Sequence, residues 1–242
     1  MGPRFPFLIT FAASVAFLIL IALGTWQLER LQWKEALVAR VASRTAEAPV
    51  PLPDLADWEN IDLDAWEYRP VEARGRFRHD LEARVYTLLS NAKGPLSGPG
   101  YWIVTPLEIA GSSASVLVNR GFVPTTNTGE MARPDGDVVV RGLLRGPQDR
   151  NLFTPDDEPA KRLFYARDAA AIAGGLEVTS AAPFTIDARD TPPGGLPQAG
   201  ETQLSFPNRH LEYALTWYGL AGSLVAVFIA FLVSRRRQRG QG

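Results

Sequence analysis

Two apolar runs without a single charge sit near opposite ends of the chain, and they limit the folds open to it. Pro6 to Gly24, "PFLITFAASVAFLILIALG", has nineteen residues. At about 1.5 Å per residue it reaches roughly 29 Å, close to the thickness of a bilayer's hydrocarbon core. Tyr213 to Val233, "YALTWYGLAGSLVAVFIAFLV", is also uncharged and long enough to span. Runs of this length predict transmembrane helices rather than buried core helices. For the first run a cleaved signal peptide competes, since Ala22-Leu23-Gly24 offers small residues in a cleavage-like pattern. A signal h-region is only about 7–15 residues long, so an uncleaved anchor is expected.

Charge sets the expected orientation. The tail Arg235-Arg236-Arg237-Gln238-Arg239 carries four positive charges and no acid, which predicts a cytoplasmic C-terminus. Two spans then bring the N-terminus, with Arg4, to the same side. Arg30, Lys34, Arg40 and Arg44 after the first span blur the rule locally, and Glu29 and Glu35 offset them in part. No Arg/Ser-rich transit segment precedes the first span. The expected location is therefore a bacterial inner membrane, crossed twice, with both termini cytoplasmic and the central domain periplasmic. The expected plan is a first span over 6–24, an extracytoplasmic domain with an N-terminal stalk helix over 25–209, a second span over 210–233 and a basic tail over 234–242.

Composition removes several functions. With no cysteine there is no disulfide, thiolate metal site, CxxCH haem attachment or thioredoxin-type motif. Two methionines and two histidines argue against a copper carrier, because copper(I) prefers sulfur. A net charge of −1 gives no basic field for nucleic acid, and no such partner is expected.

Between the spans the pattern changes. Leu28, Leu31, Val38 and Val41 fall near helical spacing, which predicts a stalk helix to about Ser43, with Trp26 and Trp33 as interfacial aromatics. Residues 48–66, rich in Pro and acid, predict a loop. Strands are predicted over 68–77, 83–90, 101–109, 115–123, 137–145, 162–168 and 184–189, and one helix over 167–176 that stops at Gly174-Gly175. Val116/Val118 and Val138/Val140 show the two-residue period of a half-buried strand. Short strands with Gly and Pro turns imply a mainly antiparallel β domain, a barrel or a sandwich, with minor helix. Gly100 and Gly121 are expected to serve backbone geometry.

No GxSxG, HExxH, P-loop or strand-borne GxGxxG occurs. Asp156-Asp157-Glu158 suits a solvated turn better than a metal site, and His79 an exposed turn. His210 stands apart by its place, at the edge of the second apolar run in "NRHLEYALTWYG". Pro207 suits a first helical turn and Asn208 a cap. On a helix, His210, Tyr213, Ala214, Trp217 and Ala221 share one face. Such a face suits a flat amphipathic ring, with imidazole as an axial ligand for iron. On the residues alone it better suits an interfacial histidine bonded to headgroups or to the domain. Gly222, Ala226 and Ala230 form a small-xxx-small stripe expected to pack on Ala12 and Ala16.

Four blocks carry a resemblance to a known family. They are "LGTWQLERLQWKEAL" (23–37), "GPGYWIVTPL" (98–107), "VLVNRGFVP" (116–124) and "NRHLEYALTWYGLA" (208–221). Together, and in this order, they resemble the Surfeit locus protein 1 family, the cytochrome c oxidase assembly factors, over nearly the whole chain. The departures are small, such as Phe122 where a Trp is frequent and Ala166 where an aromatic or polar residue is common.

The resemblance implies a non-catalytic factor that binds haem a as transient cargo and helps deliver it to haem-copper oxidase subunit I. It implies His210 as the iron ligand, with Trp217 and Tyr218 as aromatic neighbours. Tyr213 joins them on the helical face, and Arg209 and Arg30 are the cations placed to pair with propionates. Whether haem arrives directly from haem A synthase stays open. Two rivals remain: a scaffold that stabilises an early oxidase intermediate without haem, and a membrane-anchored enzyme lacking any identifiable nucleophile–base set.

Overall fold

The first apolar run and the amphipathic stretch behind it form one unbroken helix, α1 (Arg4–Thr45). Its only proline beyond Arg4 is Pro6, in the first turn, where a missing N–H costs nothing. The computed structural model describes residues 4–127, 129–202 and 208–239. The C-terminal helix, numbered α4 below, spans His210–Arg239. Only 6% of the apolar stretch of either helix is covered by protein, so neither is a core helix. Both are long and apolar enough to cross a membrane. The proposed role of Pro207 lies outside the described residues. Residues up to Arg40 form one compact unit with α4, and residues 41–203 form another.

The second unit is built on β1 (Val50–Pro51), β2 (Pro70–Phe77), β3 (Ala83–Leu89), β4 (Gly98–Ile109), β5 (Ser115–Pro124), β6 (Asp137–Arg145), β7 (Leu163–Phe164) and β8 (Ala181–Ala188). Strand β2 pairs with both β6 and β4, and β8 lies between β6 and β5. With β4–β5 paired as well, five strands close into a ring, a small barrel whose members have no open edge. Pairing in the ring is antiparallel except for β5–β8. Strand β3 extends the sheet from β4, β7 adds parallel to β3, and β1 adds parallel to β2.

The strand period explains the two cores. Val116 and Val118 of β5 point into the ring with Val71, Leu107, Leu144, Phe184 and Trp58. Leu117, between them, joins Ala83, Val85, Phe164 and Ile172 on the other face. That second core lies under α3 (Ala169–Gly175), which Asp168 caps by accepting from the amides of Ala170 and Ala171. With both faces covered, β5 is apolar almost throughout rather than alternating.

Several boundaries differ from the sequence reading. Residues 48–66 are not a plain loop: they hold β1, a 3-10 helix over Leu55–Asn60 and α2 (Leu63–Trp66). Trp58 anchors this stretch, donating to the Pro53 carbonyl at 3.0 Å and meeting Phe184 edge-on at 5.5 Å. Strand β4 begins at Gly98 rather than 101, because Gly-Pro-Gly pairs with β3 while adding no apolar signal. The expected strand over 162–168 shrinks to Leu163–Phe164, after Arg162 in a left-handed conformation. Strand β8 begins at Ala181, opposite Ser115. His79 is half-buried, not an exposed turn. Its Nε2 donates to the Pro134 carbonyl at 3.1 Å, and its Nδ1 faces Arg120, whose guanidinium is paired with Glu82 at 3.1 Å.

Gly121 meets two demands at once. Its φ is +136°, and a Cβ there would lie 2.4 Å from the Gln198 carbonyl oxygen. Gln198 and Phe122 exchange backbone hydrogen bonds at 2.8 and 2.9 Å. Gly121→Ala is expected to destabilise the domain by about 1–3 kcal/mol from the backbone alone. Gly174→Ala, in α3 with open space around it, is expected to be neutral or stabilising. Thermal melts of the two variants compare them directly.

Candidate cofactor site

α4 starts where its sequence places a cap. The Asn208 side chain accepts from the His210 amide at 3.4 Å, and the Arg209 carbonyl takes the Tyr213 amide at 3.2 Å. The first turn therefore sets His210 on the helix as the spacing predicts. The imidazole is half-buried, and its Nδ1 lies 2.7 Å from Oε1 of Gln27 in α1. A carbonyl oxygen only accepts, so Nδ1 is the donor. In the neutral ring the free lone pair then sits on Nε2.

Further along α4, the residues facing α1 are small or fitted. Ala214 and Ala221 are 1% and 2% exposed. The Tyr218 ring lies against Gly24, where a Cβ would come within 2.8 Å of it. Its hydroxyl is 3.2 Å from Oγ1 of Thr25. Tyr218, expected beside a cofactor, is thus engaged in packing the two helices. The small-residue contact exists, but on other residues than predicted: Gly222, Ala226 and Ala230 are exposed, and the buried row is Ala214 and Ala221. Helical phase places the two rows on different faces, and closeness to Tyr218 decides which one packs.

The remaining predicted residues surround this contact loosely. Trp217 is half-buried, while Tyr213 is 53% exposed. Arg209 is exposed at the helix start. The Arg30 guanidinium lies 4.1 Å over the Trp33 ring. An apolar cleft of about 380 Å³ between Phe17 and Leu18 of α1 and Leu224 and Phe228 of α4 lies elsewhere. Leu224 is roughly 21 Å of helix from His210, so the cleft is separate from the imidazole.

Sequence reasoning missed Gln27, Gly24 and Thr25. The signal lay inside the block "LGTWQ": a glycine, a hydroxyl and an amide at the end of an apolar run, within three residues of one another.

The β domain holds a second polar centre. Asp187 accepts from Asn119 Nδ2 at 2.9 Å, Thr202 Oγ1 at 2.9 Å, Arg167 Nη1 at 3.0 Å and Arg145 Nη1 at 3.3 Å. Arg145 also donates to Glu67 at 2.8 Å. Burial alone would raise the Asp187 pKa, but the two guanidiniums and the two hydrogen bonds outweigh it and hold the pKa below the ordinary aspartate value. The adjoining cavity of about 300 Å³ is lined by Arg145, Arg167 and Asp187, which pair with one another. Among the described residues no cluster of three His, Asp or Glu side chains could hold a metal ion.

Comparison with known proteins adds to this geometry. The SURF1 family model matches residues 14–222. Surfeit locus protein 1 of Mus musculus is 36% identical over 239 residues, covering 90% of this chain and 76% of that protein. The Homo sapiens protein of the same name is 36% identical over 217 residues, covering 83% and 70%. A SURF1-like protein of Drosophila melanogaster is 35% identical over 241 residues, covering 90% and 77%.

Proposed function

From the premise that this chain belongs to the SURF1 family, a family of cytochrome c oxidase assembly factors, we propose that it binds haem a at His210 and assists its delivery to haem-copper oxidase subunit I. The observation that carries this reading is the hydrogen bond from His210 Nδ1 to Gln27. Histidines that ligate metals almost always donate their second ring N–H to such an acceptor, which fixes the tautomer and raises the ligand's basicity. The donor set fits haem: one imidazole, aromatic Tyr213 and Trp217 along the same helix, and exposed cations at Arg209 and Arg30. Arg30 stacks on Trp33 in a cation–π contact, which a bidentate pair with a propionate readily replaces.

Within this reading each residue has a separate task. His210 supplies the axial nitrogen. Gln27 fixes its tautomer and its orientation. Tyr218, Thr25 and Gly24 hold the helices that carry both. A single protein nitrogen would leave room on the iron for a ligand of the donor or the acceptor, which suits a carrier that must let go. The acceptor is oxidase subunit I, and haem A synthase is the candidate donor. The proposed setting is a bacterial inner membrane, with the β domain periplasmic and the arginine tail cytoplasmic, where membrane lipid surrounds both helices.

The test is purification from cells able to make haem a, followed by an absorbance spectrum. Near-stoichiometric haem a supports a carrier. Capture of subunit I with no pigment supports the scaffold instead. Gln27→Ala is expected to weaken haem retention by about 10–100-fold and to shift the spectrum of what remains, while Gln27→Glu retains it. An unchanged spectrum in Gln27→Ala would remove Gln27 from the site.

A further inference from the structure

Leu152 and Phe153 are 99% and 92% exposed, more than any other large apolar side chain among the described residues. They are adjacent, and they sit at the tip of a structured turn in the β domain rather than a loose loop. The Asn151 side chain accepts the Phe153 amide at 2.8 Å, the Asn151 amide reaches Thr154 Oγ1 at 3.0 Å, and the Thr154 amide returns to the Asn151 carbonyl at 3.0 Å. The base is clamped as well. Arg150 donates to Asp157 at 2.7 Å and to the Pro155 carbonyl at 2.7 Å, and Asp157 takes the Tyr165 amide at 2.9 Å. Backbone and base are thus fixed in a shape that holds two large apolar groups away from the fold. A turn kept this ordered with its apolar tip in water loses free energy unless something covers the tip.

We propose that the Asn151–Pro155 turn is a membrane-contact loop, with Leu152 and Phe153 entering the apolar edge of a bilayer. Three observations favour lipid as the occupant. The five residues of the apex carry no charge, so no ion is dragged out of water with the tip. The domain is joined at both ends to a helix of membrane-crossing length, so a bilayer is always within reach of the chain. The flanks are acidic, with Asp149, Asp156, Asp157 and Glu158 against Arg150. Insertion is therefore driven by apolar area and not by attraction to anionic headgroups, the reverse of the arginine tail.

The absence of cysteine makes the test direct. Phe153→Cys and Leu152→Cys, each carrying a nitroxide, are placed in the full chain in phosphatidylcholine vesicles. Collision with oxygen and with a water-soluble nickel chelate is then compared with Asp137→Cys, an exposed site at the start of β6. The expected result is an oxygen-to-nickel ratio several-fold higher at 152 and 153 than at 137. It should stay level or fall when phosphatidylglycerol is added. High nickel access at both tip positions overturns the proposal. So does low access to both probes, which would mean a protein partner or a second copy. A ratio that rises only with anionic lipid also overturns it.

Discussion

His210→Ala is expected to yield protein of normal fold that co-purifies without haem a. The imidazole is half-buried at the first turn of α4, and the helix start depends on the Asn208 side chain and on backbone groups that the substitution leaves in place. Little apolar burial is lost, so the melting temperature should move by no more than a surface substitution moves it. The proposed iron ligand, by contrast, is removed outright, and no other histidine lies in either membrane-length helix. Haem retention should fall by at least about the 10–100-fold lost from a second-sphere change alone. Imidazole added to the medium should restore part of the ligand spectrum, because the vacated space is of its own shape. Full haem a with an unaltered axial-ligand spectrum in the alanine variant would end the assignment. Restoration by imidazole separates loss of a ligand from loss of structure.

Asp187→Ala is expected to be the most damaging single change in the β domain. It strips the shared counter-ion from Arg145 and Arg167, whose side chains are 15% and 11% exposed. Removing one partner of a buried ion pair costs about 3–5 kcal/mol, a large part of the total stability of an ordinary domain. Arg145 keeps Glu67, but among the described residues Arg167 has no second carboxylate within pairing distance, and its Nε is already buried without a partner. The same network gives an acid limb to stability. The folded Asp187 pKa lies below the unfolded one, so the contribution is fully present above the ordinary aspartate range. It is lost as pH falls through the depressed folded value. Denaturant midpoints measured from neutral to acid pH should fall with acid in the parent and much less in the alanine variant. Equal acid slopes would assign the effect to other carboxylates.

Much of the architecture follows from patterns that one residue's neighbours reveal. Uncharged length predicts the two membrane-length helices, and the two-residue period at Val116/Val118 predicts a strand, though a half-buried one where the structure buries both faces. Barrel rather than sandwich was not legible, because closure is a pairing of β2 with β4 across some thirty residues and leaves no local mark. The contacts of Gln27 and Tyr218 were hidden for a related reason. Helical spacing gives a face of α4 but not the partner, and only the packing of α1 decides that Tyr218 faces Gly24 while Tyr213 is left exposed. Asp187 lies in "FTIDAR", where a single acid in a strand reads as surface. The two arginines that bury it come from elsewhere in the chain.

The place of β8 in the ring bears on the order of events during synthesis. It is the last of the ring strands to be made, yet it stands between β5 and β6, which therefore cannot seal against each other while they wait. Until about residue 188 has emerged, the first four ring strands form an open sheet with two unsatisfied borders. These are segments that aggregate when left exposed. The barrel thus completes only shortly before the final helix is translated. A chain that stops before about residue 188 lacks the strand that shuts the ring, so it should be far more prone to aggregate than one that stops after it.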